Sequence, residues 1–340
     1  MEYRRLGSSG LKVSVLSLGA MTFGESKTFM KGVTSTDDQA RRVFDAALED
    51  GVNLVDTANV YGDGASERMV GAWIKGKRDR VLVATKCRFP FDMGLRQPGP
   101  HDQGLSRKHI MEACEASLRR LDVETIDLYQ VHMQDRSVGI EETLRALDDL
   151  VSQGKVRYIG CSNYTGYRLV EALSVAERRR TVRYESVQLQ WSLIVRGAER
   201  EVIPACEAFG VGVMVWSPLA RGFLSGKYQK GMAPPPGCRL EQWKESFQLL
   251  DQPPNWRILD KVQQLAALHE TTPAAVALAW LLAKNAVSTI IVGARTVEQW
   301  KDNRRALDLV LTAEQVRALD EISAPPWGYP YDFIGSREPW

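Results

Sequence analysis

Eight short runs rich in β-branched and apolar residues alternate with amphipathic helical patterns along this chain: VSVLSLG, VNLVD, RVLVATK, IDLYQVH, VRYIGCS, YESVQLQ, VGVMVWS and STIIVG. Each run is shorter than an ordinary helix and apolar nearly throughout, which suits a strand covered on both faces. Strands of that kind with helices between them form parallel sheets, because a crossover helix returns the chain to the same end of the sheet. Eight such units with no Ser/Gly-rich linker favour an α/β fold closed into a (β/α)8 TIM barrel over an open doubly wound sheet. The expectation is one domain over residues 1–340.

The helices are announced by their caps. Thr36 and Gln39 form a capping box before a helix whose Val43, Phe44, Ala47 and Leu48 share one face and which Gly51 ends. Ser66 and Ser106 are expected to cap the next two helices, and Thr272 followed by Pro273 opens the last long one. A second box, Thr312 with Gln315, lies beyond the eighth strand. Ahead of the first barrel strand, YRRLG and SSGLKVS read as a small hairpin placed to close the barrel's bottom.

Composition narrows the class of partner. At a net charge of +2 and with only the short Arg178 to Arg180 cluster as a basic run, the chain lacks the footprint of a nucleic-acid binder. The opening MEYRRLGSSGLKVS has no apolar signal core, and no apolar run approaches bilayer length, so a soluble cytoplasmic protein without a membrane partner is expected. Cys87, Cys114, Cys161, Cys206 and Cys238 are scattered, odd in number and without a CxxC pair, which reads as reduced thiols with neither disulfide nor metal.

Three connections exceed simple turns: Cys87 to Leu105, Ser217 to about Asn255, and the tail from about Ala324 to Trp340. Long loops on a rigid scaffold usually carry function, and in a barrel those that follow strands share one rim. Four polar residues fall on that rim: Asp56 closing NLVD, Tyr61 just beyond it, Lys86 closing VLVATK and His132 closing IDLYQVH. An acid, a phenol, a lysine and an imidazole so grouped can transfer a proton. The phenol gives its proton to a carbonyl oxygen, the lysine lowers the phenol's pKa, the acid holds the lysine, and a neutral imidazole orients the carbonyl.

With these residues in view, the sequence resembles the aldo-keto reductase superfamily from about Tyr3 to about Ile322. VDTANVYGDGASERMVG is similar to the family's Asp-Thr-Ala and Tyr-Gly signature, which implies catalytic roles for Asp56 and Tyr61, with Lys86 and His132 completing a tetrad. The resemblance further implies an NADP(H) site without a Rossmann fingerprint: Ser162, Asn163 and Gln188 at the carboxamide, Trp216 stacked on the nicotinamide, and Met21 and Asp56 beside it. WSPLARGFLSGKY resembles a cofactor-covering loop, which implies that Ser217, Leu219, Arg221 and Lys227 approach the pyrophosphate, with Arg239 an addition across a Pro-rich insertion. GARTVEQWKDN is similar to a pattern of the branch that includes bacterial members and potassium-channel β subunits; it implies Gly293, Arg295, Gln299 and Asn303 around the adenosine 2′-phosphate and adenine.

The resemblance thus implies reversible, NADPH-dependent reduction of an aldehyde or ketone, with a small carbonyl or alcohol as substrate. A second reading is an NADPH-binding redox-sensing regulator like the channel subunits; His132 stands where those carry Asn, which favours the enzyme. Two departures touch the pocket wall: Trp191 and Ser192 replace a Tyr-Asn pair, and Ala20, Met21 and Thr22 follow the strand-one glycine. Phe23, Phe29, Phe89, Phe91, Trp191, Trp327 and Tyr329 are the aromatic candidates for lining a pocket.

Overall fold

A computed structural model describes residues 1–27, 30–91 and 97–337. A two-stranded antiparallel hairpin, β1 (Tyr3–Arg5) with β2 (Lys12–Ser14), precedes eight parallel strands that close on themselves. The barrel strands are β3 (Leu16–Gly19), β4 (Leu54–Asp56), β5 (Leu82–Cys87), β6 (Ile126–Val131), β7 (Val156–Ser162), β8 (Tyr184–Gln190), β9 (Gly212–Trp216) and β10 (Val287–Val292). They pair in chain order, and β10 pairs with β3 through Ile290 opposite Leu16.

Helices α1 (Asp37–Glu49), α2 (Ala65–Ile74), α3 (Arg107–Leu121), α4 (Ile140–Ser152), α5 (Gly166–Arg179) and α6 (Val202–Phe209) each follow one of the first six barrel strands. After β9 come α7 (Arg239–Gln242), α8 (Lys244–Leu250), α9 (Pro253–Leu268) and α10 (Pro273–Leu282); after β10 come α11 (Val297–Arg304), α12 (Ala313–Ile322) and α13 (Tyr331–Gly335). No single helix among the described residues is long and apolar enough to cross a membrane. The five cysteines are all buried and unbridged.

The cap expectations hold with one exception. Both capping boxes form, at Thr36 with Gln39 and at Thr312 with Gln315, and Ser106 and Thr272 cap α3 and α10. Ser66 does not cap α2. It lies inside the helix, whose N-cap is the left-handed Gly64, and its hydroxyl turns inward to donate to the Ala20 carbonyl at 2.7 Å and meet Thr57 Oγ1 at 2.8 Å. A buried acceptor on the neighbouring strand end outcompetes the helix terminus. The run VSVLSLG also divides: Val13 and Ser14 belong to the hairpin, and only Leu16 to Gly19 join the barrel.

The period-two alternation of strands arranges the barrel interior in layers. Toward the bottom, Leu54, Ala84, Leu128, Met214 and Ile291 pack with Leu6 and Val13 of the hairpin, which plugs that end, and Ile291 also reaches the cleft. The chain comes so close there that a Cβ on Gly7, at φ +60, would lie 2.6 Å from the Gly212 nitrogen and the Glu185 carbonyl. Two residues above that layer, on the same inward face, stand Asp56, Lys86, Gln130 and Trp216. The long connection after β9 carries α7 and α8, and the tail carries α13.

Candidate active site

Lys86 is fully buried yet charged, and its surroundings explain why. Nζ donates to Asp56 Oδ2 at 2.6 Å, to the Thr57 carbonyl at 2.9 Å and to Tyr61 OH at 3.3 Å. Burial alone would favour the neutral amine; the Asp56 carboxylate beside it overrides that and holds the ammonium's pKa above its ordinary value. Asp56 in turn uses Oδ1 to accept from Gln130 Nε2 at 3.1 Å and Gln188 Nε2 at 2.8 Å.

Tyr61 reaches Lys86 from a tight turn after β4. Gly62, Asp63 and Gly64 are consecutive left-handed residues, and they swing the phenol back over the barrel mouth before α2 begins. Burial raises the Tyr61 pKa above 10.0; the Lys86 charge opposes this and Asp56 adds to it, and the net is upward. The expectation that Lys86 lowers the phenol's pKa therefore holds for that pair but not for the sum, because desolvation is the larger effect. The phenol stays protonated throughout the neutral range.

His132 stands edge-on to Tyr61, with ring centroids 5.8 Å apart, and edge-on to Phe89 at 5.0 Å. Burial first, then the Lys86 and Arg88 charges, hold its pKa well below 6.5, so the imidazole is neutral. Its Nδ1 is buried with no hydrogen-bond partner among the described residues. The group as a whole can present the Tyr61 proton to a ligand oxygen, with the Asp56 charge paired to Lys86.

A cleft of about 670 Å³ runs from these residues across the rim. Met21, Ser162, Asn163, Gln188, Trp216, Ser217, Leu219, Arg221, Lys227, Arg239, Gly293, Arg295, Gln299 and Asn303 all line it, together with Asp56, Tyr61 and His132. Lys86 lies beneath, behind Asp56 and Tyr61. The Asn163 amide is spent on the His132 carbonyl at 2.9 Å and Ser162 Oγ at 3.0 Å.

At the far end the cations gather. Arg221 donates to Ser246 Oγ at 2.5 Å and Arg295 to the Gly237 carbonyl at 2.9 Å, and the Arg295 backbone N–H donates to Gln299 Oε1 at 2.9 Å. Burial, with Arg295 and Arg221 adding to it, pulls Arg239 down to about 10, and burial with Arg295 and Arg239 lowers Lys227. None of the four forms an ion pair with a carboxylate among the described residues. Mutually repelling cations with no ion-pair partner among the described residues suit a ligand that carries phosphates. The turn after β9 adds to this: Ser217, Ala220 and Arg221 are left-handed although none is glycine, a strain that persists where surrounding structure enforces it.

The aldo/keto reductase family model matches residues 15–324. The chain belongs to the aldo/keto reductase family. It is 38% identical to an uncharacterized oxidoreductase of Bacillus subtilis over 96% of this chain and 98% of that protein. It is 36% identical to a probable voltage-gated potassium channel subunit beta of Arabidopsis thaliana over 95% and 93%. It is 33% identical to a norsolorinic acid reductase of Aspergillus flavus over 98% and 84%. The chain is thus an oxidoreductase of a family that typically uses NAD(P)H.

The aromatic wall of this aldo/keto reductase differs from the sequence expectation. Phe89 lines the cleft, joined by Trp216 and by Trp243, which the sequence reading did not single out. Phe23 is fully buried against Trp73, and Trp191 is buried edge-on to Trp280 with its indole donating to Glu199 at 2.6 Å. Phe91 stacks beside Arg120. Trp327 sits near Arg200 on the tail, Tyr329 is 87% exposed, and Phe29 lies outside the described residues.

Thr22, Val60, Pro218 and Asp302 also line the cleft, and Gln130 supports it from behind. For Gln130 a signal existed: it precedes His132 by two, so alternation turns both inward. For Trp243 there was none, because its place depends on how the long connection folds back.

Proposed function

We propose that this chain is an NADPH-dependent aldo-keto reductase that reduces an aldehyde or ketone and can run in reverse on the alcohol, with Tyr61 as the general acid and base. The observation that carries this reading is the cleft itself: phosphate-ready cations at one end, a protonated phenol over a buried ammonium at the other. Arg221, Lys227 and Arg239, with Ser217 and Leu219, would hold the pyrophosphate. Arg295, ahead of α11 and joined by Gly293, Gln299 and Asn303, would receive the adenosine and its 2′-phosphate. Ser162, Asn163 and Gln188 would take the carboxamide, with Trp216 against the ring and Met21 at its side. When bound, a reduced nicotinamide supplies hydride to a carbonyl carbon.

The chain's own residues do the rest. Tyr61 OH gives its proton to the carbonyl oxygen as negative charge develops there. Lys86 stabilises the phenolate left behind, and Asp56 keeps Lys86 charged and in reach. Neutral His132 orients the carbonyl without competing as an acid. Met21, Val60 and Phe89 line the cleft near Tyr61 with mainly apolar surface, which supports a carbonyl on an aromatic or aliphatic body; the reductase named for norsolorinic acid is a relative in keeping with that.

The test pairs binding with turnover. NADPH should quench tryptophan fluorescence and be consumed with an aryl aldehyde such as 4-nitrobenzaldehyde. Tyr61→Phe should bind NADPH as before while turnover falls by about 10²- to 10⁴-fold, the scale of general acid catalysis. In Arg295→Ala, NADPH affinity should fall by about ten- to a hundredfold, the scale of a charge-assisted hydrogen bond, with NADH affinity unchanged. Binding without turnover of any carbonyl in a broad panel would instead support a regulator.

A further inference from the structure

Behind the tetrad, Asp56 and Gln188 are joined in a buried side-chain network by Gln130, the one member with no part in proton transfer or cofactor contact. Asp56 spends Oδ2 on Lys86. Its Oδ1 accepts two amide hydrogen bonds, from Gln130 Nε2 at 3.1 Å and from Gln188 Nε2 at 2.8 Å, and Gln188 Nε2 also donates to Gln130 Oε1 at 3.2 Å. Gln130 is fully buried and Gln188 nearly so.

A carboxylate only accepts, so both glutamines must turn their NH2 groups toward Asp56. That choice determines the remaining atoms. Gln130 is left with Oε1 to receive the second N–H of Gln188, and both hydrogens of Gln188 are then spent inside the network. Gln188 lines the cleft, and its Oε1 accepts no hydrogen bond among the described residues, so an acceptor is what it has left to offer a ligand. Reversing the Gln188 amide would bring its oxygen against Asp56 Oδ1 and Gln130 Oε1, three acceptors with no proton between them in a site of low dielectric.

We propose that Gln130 is a positioning residue that locks Asp56 and the amide of Gln188 into one unit, so that Gln188 presents only Oε1 to the N–H2 of a nicotinamide carboxamide. The proposal rests on the reading of the cleft as a nicotinamide site. The carboxylate that holds Lys86 and the side chain that meets the cofactor then share one hydrogen-bonded node, and Gln130 reaches the cofactor through Gln188.

A double-mutant cycle tests this on the full chain, with the NADPH dissociation constant read by tryptophan fluorescence quenching in Gln130→Met, Gln188→Leu and the pair. Gln130→Met keeps the volume and should weaken NADPH on the order of three- to tenfold, the scale of one neutral hydrogen bond. In the Gln188→Leu background the same change should cost less than about twofold, because the route is already cut. The reduced 3-acetylpyridine analogue of the cofactor keeps a carbonyl but lacks the N–H2, and with it Gln130→Met should bind as wild type does.

Losses that multiply in the cycle, or an equal penalty for NADPH and the analogue, would mean that Gln130 merely supports the barrel and would overturn the proposal while leaving the nicotinamide reading intact. A wild-type chain that fails to bind NADPH would overturn both. If Gln130→Met does not fold, Gln130→Leu, which likewise removes the acceptor for Gln188, goes through the same cycle under the same criterion.

Discussion

Tyr61 and His132 sit in one buried site, and burial acts on them in opposite senses. It keeps the phenol protonated and the imidazole deprotonated, so the first can donate while the second stays neutral. Reduction needs the protonated phenol, so its rate should hold through the neutral range and fall only as pH rises through the Tyr61 pKa, above 10.0. Lys86→Met removes the one charge that lowers that pKa; its reduction rate should drop, and the alkaline limb of its pH profile should move further up. A profile measured to pH 11 with the limb unmoved would show that Lys86 does not act on Tyr61. His132 makes a stability prediction. Its folded pKa is depressed, so its contribution is fully present above the unfolded value near 6.5 and is lost as pH falls below it, at up to about 1.4 kcal/mol per pH unit. Wild type should therefore lose more thermal stability between pH 7.5 and 5.5 than His132→Asn does. His109, also depressed by burial, works in the same direction and remains in both proteins.

The turn that presents Tyr61 is an element-scale device. Gly64 caps α2 at φ 80, and a Cβ built there would lie 2.5 Å from Phe91 Cε2 and 2.9 Å from Arg120 Cδ. Arg120 cannot yield easily, since its Nε is paired at 2.6 Å with the fully buried Glu67, which also accepts from Thr85 beside Lys86. Gly64→Ala should cost about 1 to 3 kcal/mol in urea unfolding, the scale of a strained backbone position, and lower turnover more than NADPH affinity. Equal affinity and turnover would show that the turn relaxes without moving Tyr61. The strap after β9 works on the same scale. Arg221 reaches α8 at Ser246, and Arg295 reaches the Gly237 carbonyl ahead of α7, so the cation cluster is assembled from two connections far apart in sequence.

The whole molecule separates its two ends. The hairpin plug and the apolar layer stabilise the bottom, while the cleft occupies the opposite rim, the division expected of barrels of this kind. Leu6→Ala, which empties part of the plug, should destabilise the protein by about 2 to 5 kcal/mol and leave the NADPH dissociation constant within twofold or so of wild type. A matching loss of affinity in the folded variant would mean that the plug sets the geometry of the rim.

Features that rest on short-range pattern were legible before any tertiary contact was known. Alternating strand and helix periods specified the barrel, capping chemistry specified Thr36, Ser106, Thr272 and Thr312, and strand ends brought Asp56, Lys86 and His132 to one rim. Ser66 shows where local logic stops, because a carbonyl just past the neighbouring strand was a better partner than its own helix. The pocket's aromatics were likewise a tertiary decision: Trp191 and Trp243 look alike in sequence, and only the packing of distant segments buried one and turned the other to the cleft. The net direction of the Tyr61 pKa and the amide lock through Gln130 were decided in the same way. Desolvation and hydrogen-bond satisfaction depend on every group that surrounds an atom, and those groups come from strands that the chain brings together only when the barrel closes.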